Sequence, residues 1–468
     1  MSLKPVAAVL PGLLLGAAAQ QIGTAIPELH PRFPTYRCTV ADGCVERQTS
    51  LVTDALTREF HAVDDPSISC STRPFNEAIC PDEVTCAQNC ALEGIDYGGI
   101  GVMTRGNALT MRQYLFNGTG YDAVTPRVYL LAEDEENYEM MKLVNQELSF
   151  DVDISQLACG MNGALYLSEM FENGGKSDSN PAGAAYGTGY CDAQCFTDPT
   201  WANGLPNLND SGICCNEMDI WEANSRSQVY TPHTCSGVGS FLCTGDECAR
   251  EGVCDKSGCG FNPYRTGATG FYGLGGDFDV DTSRPFTVVT QFISDNESAE
   301  GALTEIKRLY VQDGRVIENV PATEGGEGPG TVTDEFCTDN GADDFLRLGG
   351  LKTMGESLQR GMVLIFSIWN SPGDFMEWLD SGEAGPCSDT EGDPVQIVRD
   401  RPDLSVTFSN IRIGEIGSTF DTESGAGALV EAEAGAATAE QSASQAGDLS
   451  LPTTAGVALI IGFYALFW

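Results

Sequence analysis

Hydrophobic residues occur in short runs over most of the chain, and long helical periodicities are few. Between residues 22 and 420 these runs are rich in β-branched and aromatic residues, and Gly, Pro, Asn and Asp separate them. Examples are PRVYLLA, ELSFDVDI, ALYLSEM, FTVVTQF, GMVLIFSIW and VTFSNIRI. This pattern predicts an all-β fold, an antiparallel β-sandwich or jelly roll. No repeat or break in composition divides the region, so we expect one domain over residues 20–420.

The N-terminal pattern differs from that of this domain. The first 19 residues combine Lys4, an apolar run over residues 6–15 and three alanines at 17–19. A positive start, an apolar stretch and small residues before a cleavage point are typical of a secretory signal peptide. We expect a secreted, extracellular protein whose mature chain begins at Gln20 or Gln21.

The C-terminal pattern predicts a linker followed by an apolar tail. Residues 421–448 are rich in Ala, Gly, Glu and Ser, and residues 449–468 are almost entirely apolar. The tail is short for a transmembrane helix. Small residues at 442–444, a spacer and this tail resemble a lipid-anchor signal that is removed on attachment. A retained tail anchor and a processed end without a membrane role are the alternatives to this attachment at the cell surface.

The charge balance excludes nucleic acid as a partner. Asp and Glu number 67 against 25 Lys and Arg, a formal net charge of −42. Phosphate backbones require cationic surfaces, which such a chain lacks. Two explanations of the excess stay open, an ordinary acidic secreted enzyme and adaptation to salt water, where screening weakens self-repulsion.

Eighteen cysteines and an export signal together predict disulfides. Zinc binding is the competing explanation for close pairs such as Cys191/Cys195, although the chain has only three histidines. Asn117, Asn209 and Asn296 stand in N-x-S/T acceptors, which agrees with a eukaryotic secretory route.

The richest chemistry lies in ICCNEMDIWEANSRSQVYTPHTC, residues 213–235. Read as a strand, it places Glu217 and Asp219 on one face by the period of two, whereas Glu222 has the wrong parity. A one-residue bulge after Asp219 would turn Glu222 to the same face, and bulges re-aim side chains near active sites. The stretch then predicts three carboxylates along one wall of a cleft.

Paired carboxyl groups suit the cleavage of glycosidic bonds. A separation of roughly 5–5.5 Å lets one carboxylate attack the anomeric carbon, which retains the configuration. Mutual repulsion raises the pKa of one partner, so that it keeps the proton needed by the leaving group. A solvated acidic edge and a Ca²⁺ loop are the alternatives, but Met218, Ile220 and Trp221 between the acids favour a strand.

This stretch resembles the E-x-D-x-x-E active-site motif of family 7 glycoside hydrolases, the cellobiohydrolases and endoglucanases that degrade cellulose. Further segments resemble the family in the same order, namely CGMNGALY (159–166), YGTGYCDAQC (186–195), NPYRTG (262–267), FSIWN (366–370) and EWLDSG (377–382). The resemblance extends over about residues 20–420. It implies a concanavalin-like sandwich whose long, disulfide-braced loops form a glucan-binding cleft.

The resemblance also implies roles for individual residues. Glu217 would be the nucleophile, Asp219 its modulator, Glu222 the acid/base and His233 a helper on the leaving-group side. Read alone, His233 is a structural hydrogen-bonding residue. The implied substrate contacts are Arg127, Asn162, Tyr166, Asp192, Gln194, Arg265, Trp369 and Trp378. Indole rings suit the apolar faces of sugars. No metal or organic cofactor is expected, because the carboxyl groups perform the chemistry.

The family's disulfide framework would use all eighteen cysteines in nine pairs. These are 38–44, 70–90, 80–86, 159–387, 191–215, 195–214, 235–254, 243–248 and 259–337. A tenth bridge of the cellobiohydrolases is missing, since Ala91 stands where one of its halves would be.

Loop lengths distinguish open-cleft from tunnel-forming members of such a family. The segment between Cys195 and Cys214 is short and Ala193 replaces a serine of the processive enzymes, which favours an endo-acting β-1,4-glucanase. The longer loop between Cys235 and Cys259 resembles that of the cellobiohydrolases, so release of cellobiose from chain ends is the alternative.

A non-catalytic glucan-binding protein and a structural surface glycoprotein are the other interpretations of the chain. We expect a monomer acting on cellulose or other β-1,4-glucan chains.

Overall fold

Two β-sheets packed face to face make up most of the computed structural model, which describes residues 21–196, 199–322, 328 and 330–420. The predicted β-sandwich is therefore confirmed. The strands up to residue 168 are β1 (Gln21–Ile22), β2 (Thr35–Thr39), β3 (Gly43–Arg47), β4 (Ser50–Thr53), β5 (Phe60–Ala62), β6 (Cys90–Leu92), β7 (Val102–Arg105), β8 (Ala108–Arg112), β9 (Tyr114–Phe116), β10 (Tyr121–Ala123), β11 (Arg127–Leu131), β12 (Met140–Met141), β13 (Gln146–Asp153) and β14 (Asn162–Ser168).

The second half of the chain completes both sheets. Its strands are β15 (Trp201–Ala202), β16 (Leu205–Pro206), β17 (Gly212–Cys214), β18 (Glu217–Ala223), β19 (Gln228–His233), β20 (Phe241–Cys243), β21 (Tyr272–Gly273), β22 (Val280–Asp281), β23 (Phe286–Ser294), β24 (Leu303–Gln312), β25 (Arg315–Glu318), β26 (Thr331–Val332), β27 (Met362–Trp369) and β28 (Ser405–Gly414). The α-helices are α1 (Glu83–Asn89), α2 (Asp334–Asp339), α3 (Asp343–Arg347), α4 (Gly350–Arg360), α5 (Glu377–Asp380) and α6 (Pro394–Asp400). Among the described residues, short 3₁₀ segments cover Ala55–Thr57, Gly98–Ile100, Gly183–Tyr186 and Gly245–Cys248.

The seven-stranded sheet carries the candidate site. Its order is β19-β18-β14-β27-β11-β4, with β12 also pairing with β27, and all of its pairs are antiparallel. The ten-stranded sheet runs β25-β24-β23-β13-β28-β2-β3, while β26 pairs with β24 and β8 joins β28 to β7. The pairing of β2 with β28 is parallel.

Side chains along β27 point alternately to the two faces of the seven-stranded sheet, so one face contributes to the core and the other to the cleft. Leu364 and Phe366 are fully buried and belong to the core between the sheets, where the Phe366 ring lies 5.4 Å from that of Phe408 on β28. Burial of each such side chain stabilises the fold by about 1.5–3 kcal/mol. Ser367 and Trp369 have the opposite parity, so they lie on the outer face of the sheet, beside β14.

Nine disulfides join all eighteen cysteines in the pairs that the family resemblance implies. That prediction is confirmed. The bridge between Cys159 and Cys387 spans 228 residues of sequence and fixes the start of β14 to the loop after α5. Cys191–Cys215 and Cys195–Cys214 join the segment over residues 191–195 to the end of β17, directly before β18.

The predicted signal peptide over 1–19, the linker over 421–448 and the tail over 449–468 lie outside the described residues and stay predictions. No helix in the described part of the chain is long and apolar enough to cross a membrane.

Candidate active site

The bulge expected after Asp219 is present in β18. Along β14, Tyr166 pairs with Asp219 and the preceding residue pairs with Trp221, so Ile220 is the additional residue. The register against β19 also shifts between Asp219 and Glu222. An additional residue in one strand reverses the parity of every residue after it.

The bulge changes which residues of β18 lie on the core face and which lie on the cleft face. Ile220 and Trp221 are consecutive, yet both are buried in the core between the sheets. Glu217, Asp219 and Glu222 consequently share the opposite face, where their exposed fractions are 2%, 7% and 9%. Three acids predicted from the sequence to share one face therefore do so.

Glu217 lies in the most enclosed position of the three. Its Oε2 accepts the backbone N–H of Ala193 at 3.0 Å. Burial, followed by the negative charges of Asp219 and Asp192, raises the pKa of Glu217 well above the usual glutamate range, while His233 opposes this rise. The N–H of Ala193 stabilises the ionised form, which is the form that can attack a carbon atom.

Glu222 is held by a side chain from the neighbouring strand. The amide of Asn162 donates to Glu222 Oε1 at 2.9 Å, and Asn162 Oδ1 accepts the N–H of Ala223 at 3.1 Å. Burial, followed by repulsion from Asp219, raises the pKa of Glu222 to about 8. A carboxyl group with this pKa stays protonated near neutral pH and can donate to a leaving group.

Asp219 and His233 form an ion pair between the two glutamates. The Nε2 of His233 lies 3.1 Å from Asp219 Oδ2, and its Nδ1 lies 3.0 Å from the carbonyl oxygen of Asp255. Both neighbours are acceptors, so both ring nitrogens carry protons and the ring is an imidazolium. Despite burial, the hydrogen bond and charge of Asp219 raise the pKa of His233 to about 10.

The same two causes act on both glutamates. Burial and the charge of Asp219 raise the pKa of each, whereas the charge of His233 lowers it. The backbone N–H of Ala193 also lowers the pKa of Glu217, and the Asn162 amide lowers that of Glu222. One carboxylate beside one carboxylic acid is the combination that retaining glycoside hydrolysis requires.

Aromatic and charged side chains flank Glu217. Tyr166, on the cleft face of β14, lies with its hydroxyl 3.2 Å from that of Tyr190. The guanidinium of Arg127 stacks on the Tyr190 ring, 3.4 Å from its centroid, and donates from Nε to Asp54 at 2.9 Å. Asp192 is buried beside this array, where burial raises its pKa. Three predicted substrate contacts, Arg127, Tyr166 and Asp192, are thus brought together.

Gln194 engages the protein rather than open solvent. Its amide donates to the carbonyl oxygen of Lys256 at 2.9 Å, and the ammonium of Lys256 donates to the carbonyl oxygen of Gln194. This reciprocal pair holds the loop that follows Cys254 against the segment that contains Gln194. Asp255, on the same loop, supplies the carbonyl oxygen that orients His233.

The remaining predicted contacts gather near Glu222. Trp369 ends β27 opposite Asn162, and its ring lies 6.4 Å from that of Trp378 in a stacked arrangement. Both rings are half-buried and pack against a small cluster of Val229, Met376 and Leu379, in which Val229 pairs with Glu222. Arg265 is exposed and donates to the carbonyl oxygen of Trp378 at 2.7 Å.

Sequence reasoning missed several groups that shape the site. Tyr190 and Ala193 lie within a segment that resembles the family, but neither was predicted to contact the site residues. Ala193 acts through its backbone N–H, which any residue except proline could supply. Asp54 carries no local pattern, because its partner Arg127 is 73 residues away. The Asp255 carbonyl is likewise invisible in the sequence, since any residue could supply it.

Removal of the imidazolium is expected to move the activity profile to higher pH. His233 lowers the pKa of both glutamates, so loss of its charge raises both values. We expect His233→Asn to shift both limbs of the kcat/KM profile on 4-nitrophenyl β-cellobioside upward by about one unit. The control is His61→Asn. His61 is a buried histidine on β5 that pairs with Glu93, and its replacement should leave the pH profile unchanged. A downward shift in His233→Asn would contradict this electrostatic assignment.

Comparisons with known proteins agree with this geometry. The family model described as Glycosyl hydrolase family 7 matches residues 22–420. A probable endo-β-1,4-glucanase of Aspergillus terreus is 54% identical over 419 residues, covering 89% of this chain and 98% of the relative.

Solved structures show the same fold. The endocellulase EGI of Humicola insolens is 49% identical, with a TM-score of 0.81 over 86% of this chain and 100% of that one. A family 7 cellobiohydrolase of Daphnia pulex superimposes with the same TM-score, 0.81, over 86% of this chain and 100% of that one, at 36% identity.

Proposed function

Because this chain belongs to glycosyl hydrolase family 7, we propose that it hydrolyses β-1,4-glucosidic bonds within cellulose and related glucans, with retention of configuration. Glu217 is the nucleophile and Glu222 is the acid/base. The observation that carries the proposal is the bulge, which aligns both glutamates with Asp219 on the cleft face of β18.

The reaction proceeds in two displacements. The Glu217 carboxylate attacks the anomeric carbon while Glu222 gives its proton to the departing glucosidic oxygen, and a glycosyl ester forms on Glu217. Glu222, now ionised, takes a proton from water as the water oxygen attacks the same carbon and releases Glu217. The Asp219–His233 pair between the glutamates balances the charge that moves between them.

The geometry supports roles for the flanking residues. The Trp369 and Trp378 rings offer apolar surface for sugar faces on the Glu222 side. Arg127, Tyr166 and Asp192 offer hydrogen-bonding groups on the Glu217 side. Asn162 is fully buried and bonded to Glu222, so its main role is to orient the acid/base, and Gln194 acts mainly through the Lys256 loop.

Endo attack is favoured over release of cellobiose from chain ends. The relatives with higher identity carry endoglucanase names, 54% for the Aspergillus terreus protein and 49% for the Humicola insolens structure, against 36% for the Daphnia pulex cellobiohydrolase. The short Cys195–Cys214 bridge, with a sequence separation of 19, leaves little chain to roof the cleft on the nucleophile side.

Viscometry distinguishes the two modes of attack. We expect carboxymethylcellulose to lose most of its viscosity while few reducing ends have appeared, because internal cuts shorten long chains fastest. Cellobiose as the only early product, with viscosity nearly unchanged, would show chain-end attack instead. No new reducing ends at all would favour a non-catalytic glucan-binding protein.

We also propose that the protein is extracellular and monomeric and that its tail is replaced by a lipid anchor. Nine disulfides agree with an oxidising compartment. Treatment of intact cells with a phosphatidylinositol-specific lipase is expected to release activity into the medium. Full activity in the medium before treatment would contradict the anchor.

A further inference from the structure

Arg308 is a buried cation on the sheet opposite the candidate site. It lies on β24, pairs in register with Thr290 of β23 and is 0% exposed. No ion pair joins it to a carboxylate among the described residues. A charge removed from water without a counter-ion is unfavourable for stability, and an apolar side chain of similar length would avoid that cost.

The guanidinium crosses the core to the bulge. Its Nη2 donates to the carbonyl oxygen of Ile220, the additional residue of β18, and its Nε donates to Thr290 Oγ1 at 3.2 Å. Ile220 has no register partner on either β14 or β19. Arg308 therefore supplies a donor to a buried carbonyl group at the point where the ladder is interrupted.

Aromatic rings stabilise the charge in place of a carboxylate. The guanidinium carbon lies 4.3 Å from the centroid of the Tyr230 ring, 5.8 Å from that of Trp221 and 6.0 Å from that of Tyr310. Such ring faces attract a desolvated cation. Two of these rings, Tyr230 and Trp221, belong to β19 and β18, so they connect Arg308 to both strands that surround the bulge.

We propose that Arg308 is a positioning residue for the acid/base, because it fixes the Ile220 carbonyl and with it the bulge that turns Glu222 to the cleft. Ile220 lies between Asp219 and Glu222. If the carbonyl were free to rejoin the ladder, β18 would slip toward regular pairing, and Glu222 would move toward the core face. Glu217 precedes the bulge, so its position depends less on Arg308.

This inference rests on the proposed role of Glu222 and predicts a selective defect. A leaving group as acidic as 2,4-dinitrophenol departs without a proton, whereas phenol needs one from the acid. We expect Arg308→Met to lower kcat/KM at least tenfold more on phenyl β-cellobioside than on 2,4-dinitrophenyl β-cellobioside. Arg308→Lys, which keeps a charge and a donor, should recover part of the difference.

Three controls make the result interpretable. Phe292→Leu weakens the same core from β23 and, at matched thermal stability, should lower kcat/KM equally on both substrates. Glu222→Gln tests the underlying role: if it shows no selectivity, the proposed acid is wrong, whatever Arg308 does. Suppose that Glu222→Gln loses more kcat/KM on the phenyl substrate than on the dinitrophenyl substrate. If Arg308→Met then lowers kcat/KM equally on both substrates, or does not lower it at all, the positioning role is overturned. Should Arg308→Met fail to fold, Arg308→Lys decides by the same ratio.

Discussion

Glu217→Gln is expected to lower kcat for hydrolysis of cellooligosaccharides by a factor on the order of 10⁴ or more. Glutamine keeps the shape of the side chain and can still accept the N–H of Ala193, which lies 3.0 Å from Oε2. It cannot form a glycosyl ester, so the first displacement has no nucleophile. Release of reducing ends from carboxymethylcellulose measures the loss, and unchanged KM on short substrates would show that the cleft is intact.

A matched substitution separates this effect from the general loss of a buried carboxylate. Glu147 is 0% exposed on β13 of the other sheet, where Oε2 accepts from the Gln291 amide at 2.9 Å. Glu147→Gln should retain near-wild-type kcat, even if it lowers the melting temperature. Substantial turnover by Glu217→Gln would refute the assignment of the nucleophile.

The second large effect concerns the acid/base. Glu222→Gln is expected to lower kcat/KM on phenyl β-cellobioside by about 10²–10⁴-fold, the usual contribution of a general acid. On 2,4-dinitrophenyl β-cellobioside kcat/KM should change little, because that leaving group needs no proton. The kcat on this substrate should still fall, since in the proposed mechanism Glu222 also activates the water of the second displacement.

Added azide provides an independent test of the same residue. Azide is a nucleophile that needs no general base, so it should restore turnover of the dinitrophenyl substrate by Glu222→Gln and yield β-cellobiosyl azide. The wild-type enzyme should gain little from it. An equal loss of kcat/KM on both substrates, with no increase in turnover on addition of azide, would show that Glu222 is not the acid/base.

The local sequence pattern predicted the architecture and the acids because both depend on short-range rules. A period of two assigned Glu217 and Asp219 to one face, and the wrong parity of Glu222 required a bulge that the structure contains. The family resemblance supplied the disulfide pairing. Cysteine spacing alone predicted no pairing and left zinc binding as a competing explanation for close pairs.

Long-range contacts could not be predicted in the same way. Arg308 reaches Ile220 across 88 residues of sequence, and the parallel pairing of β2 with β28 joins the two ends of the domain. Neither leaves a local pattern, because strand order is decided by how whole sheets bury their apolar faces. The imidazolium state of His233 also required coordinates, since it depends on a carboxylate and a backbone carbonyl meeting opposite ring nitrogens.

We propose that the bulge in β18 presents two glutamates to one anomeric carbon for a double displacement. Proton NMR during the first minutes of hydrolysis of a soluble cellooligosaccharide tests it most directly, because the new reducing end appears before mutarotation scrambles it. We expect the β-anomer to appear first and the α-anomer to grow in later. An α-anomer formed first would mean a single displacement by water and would contradict the account.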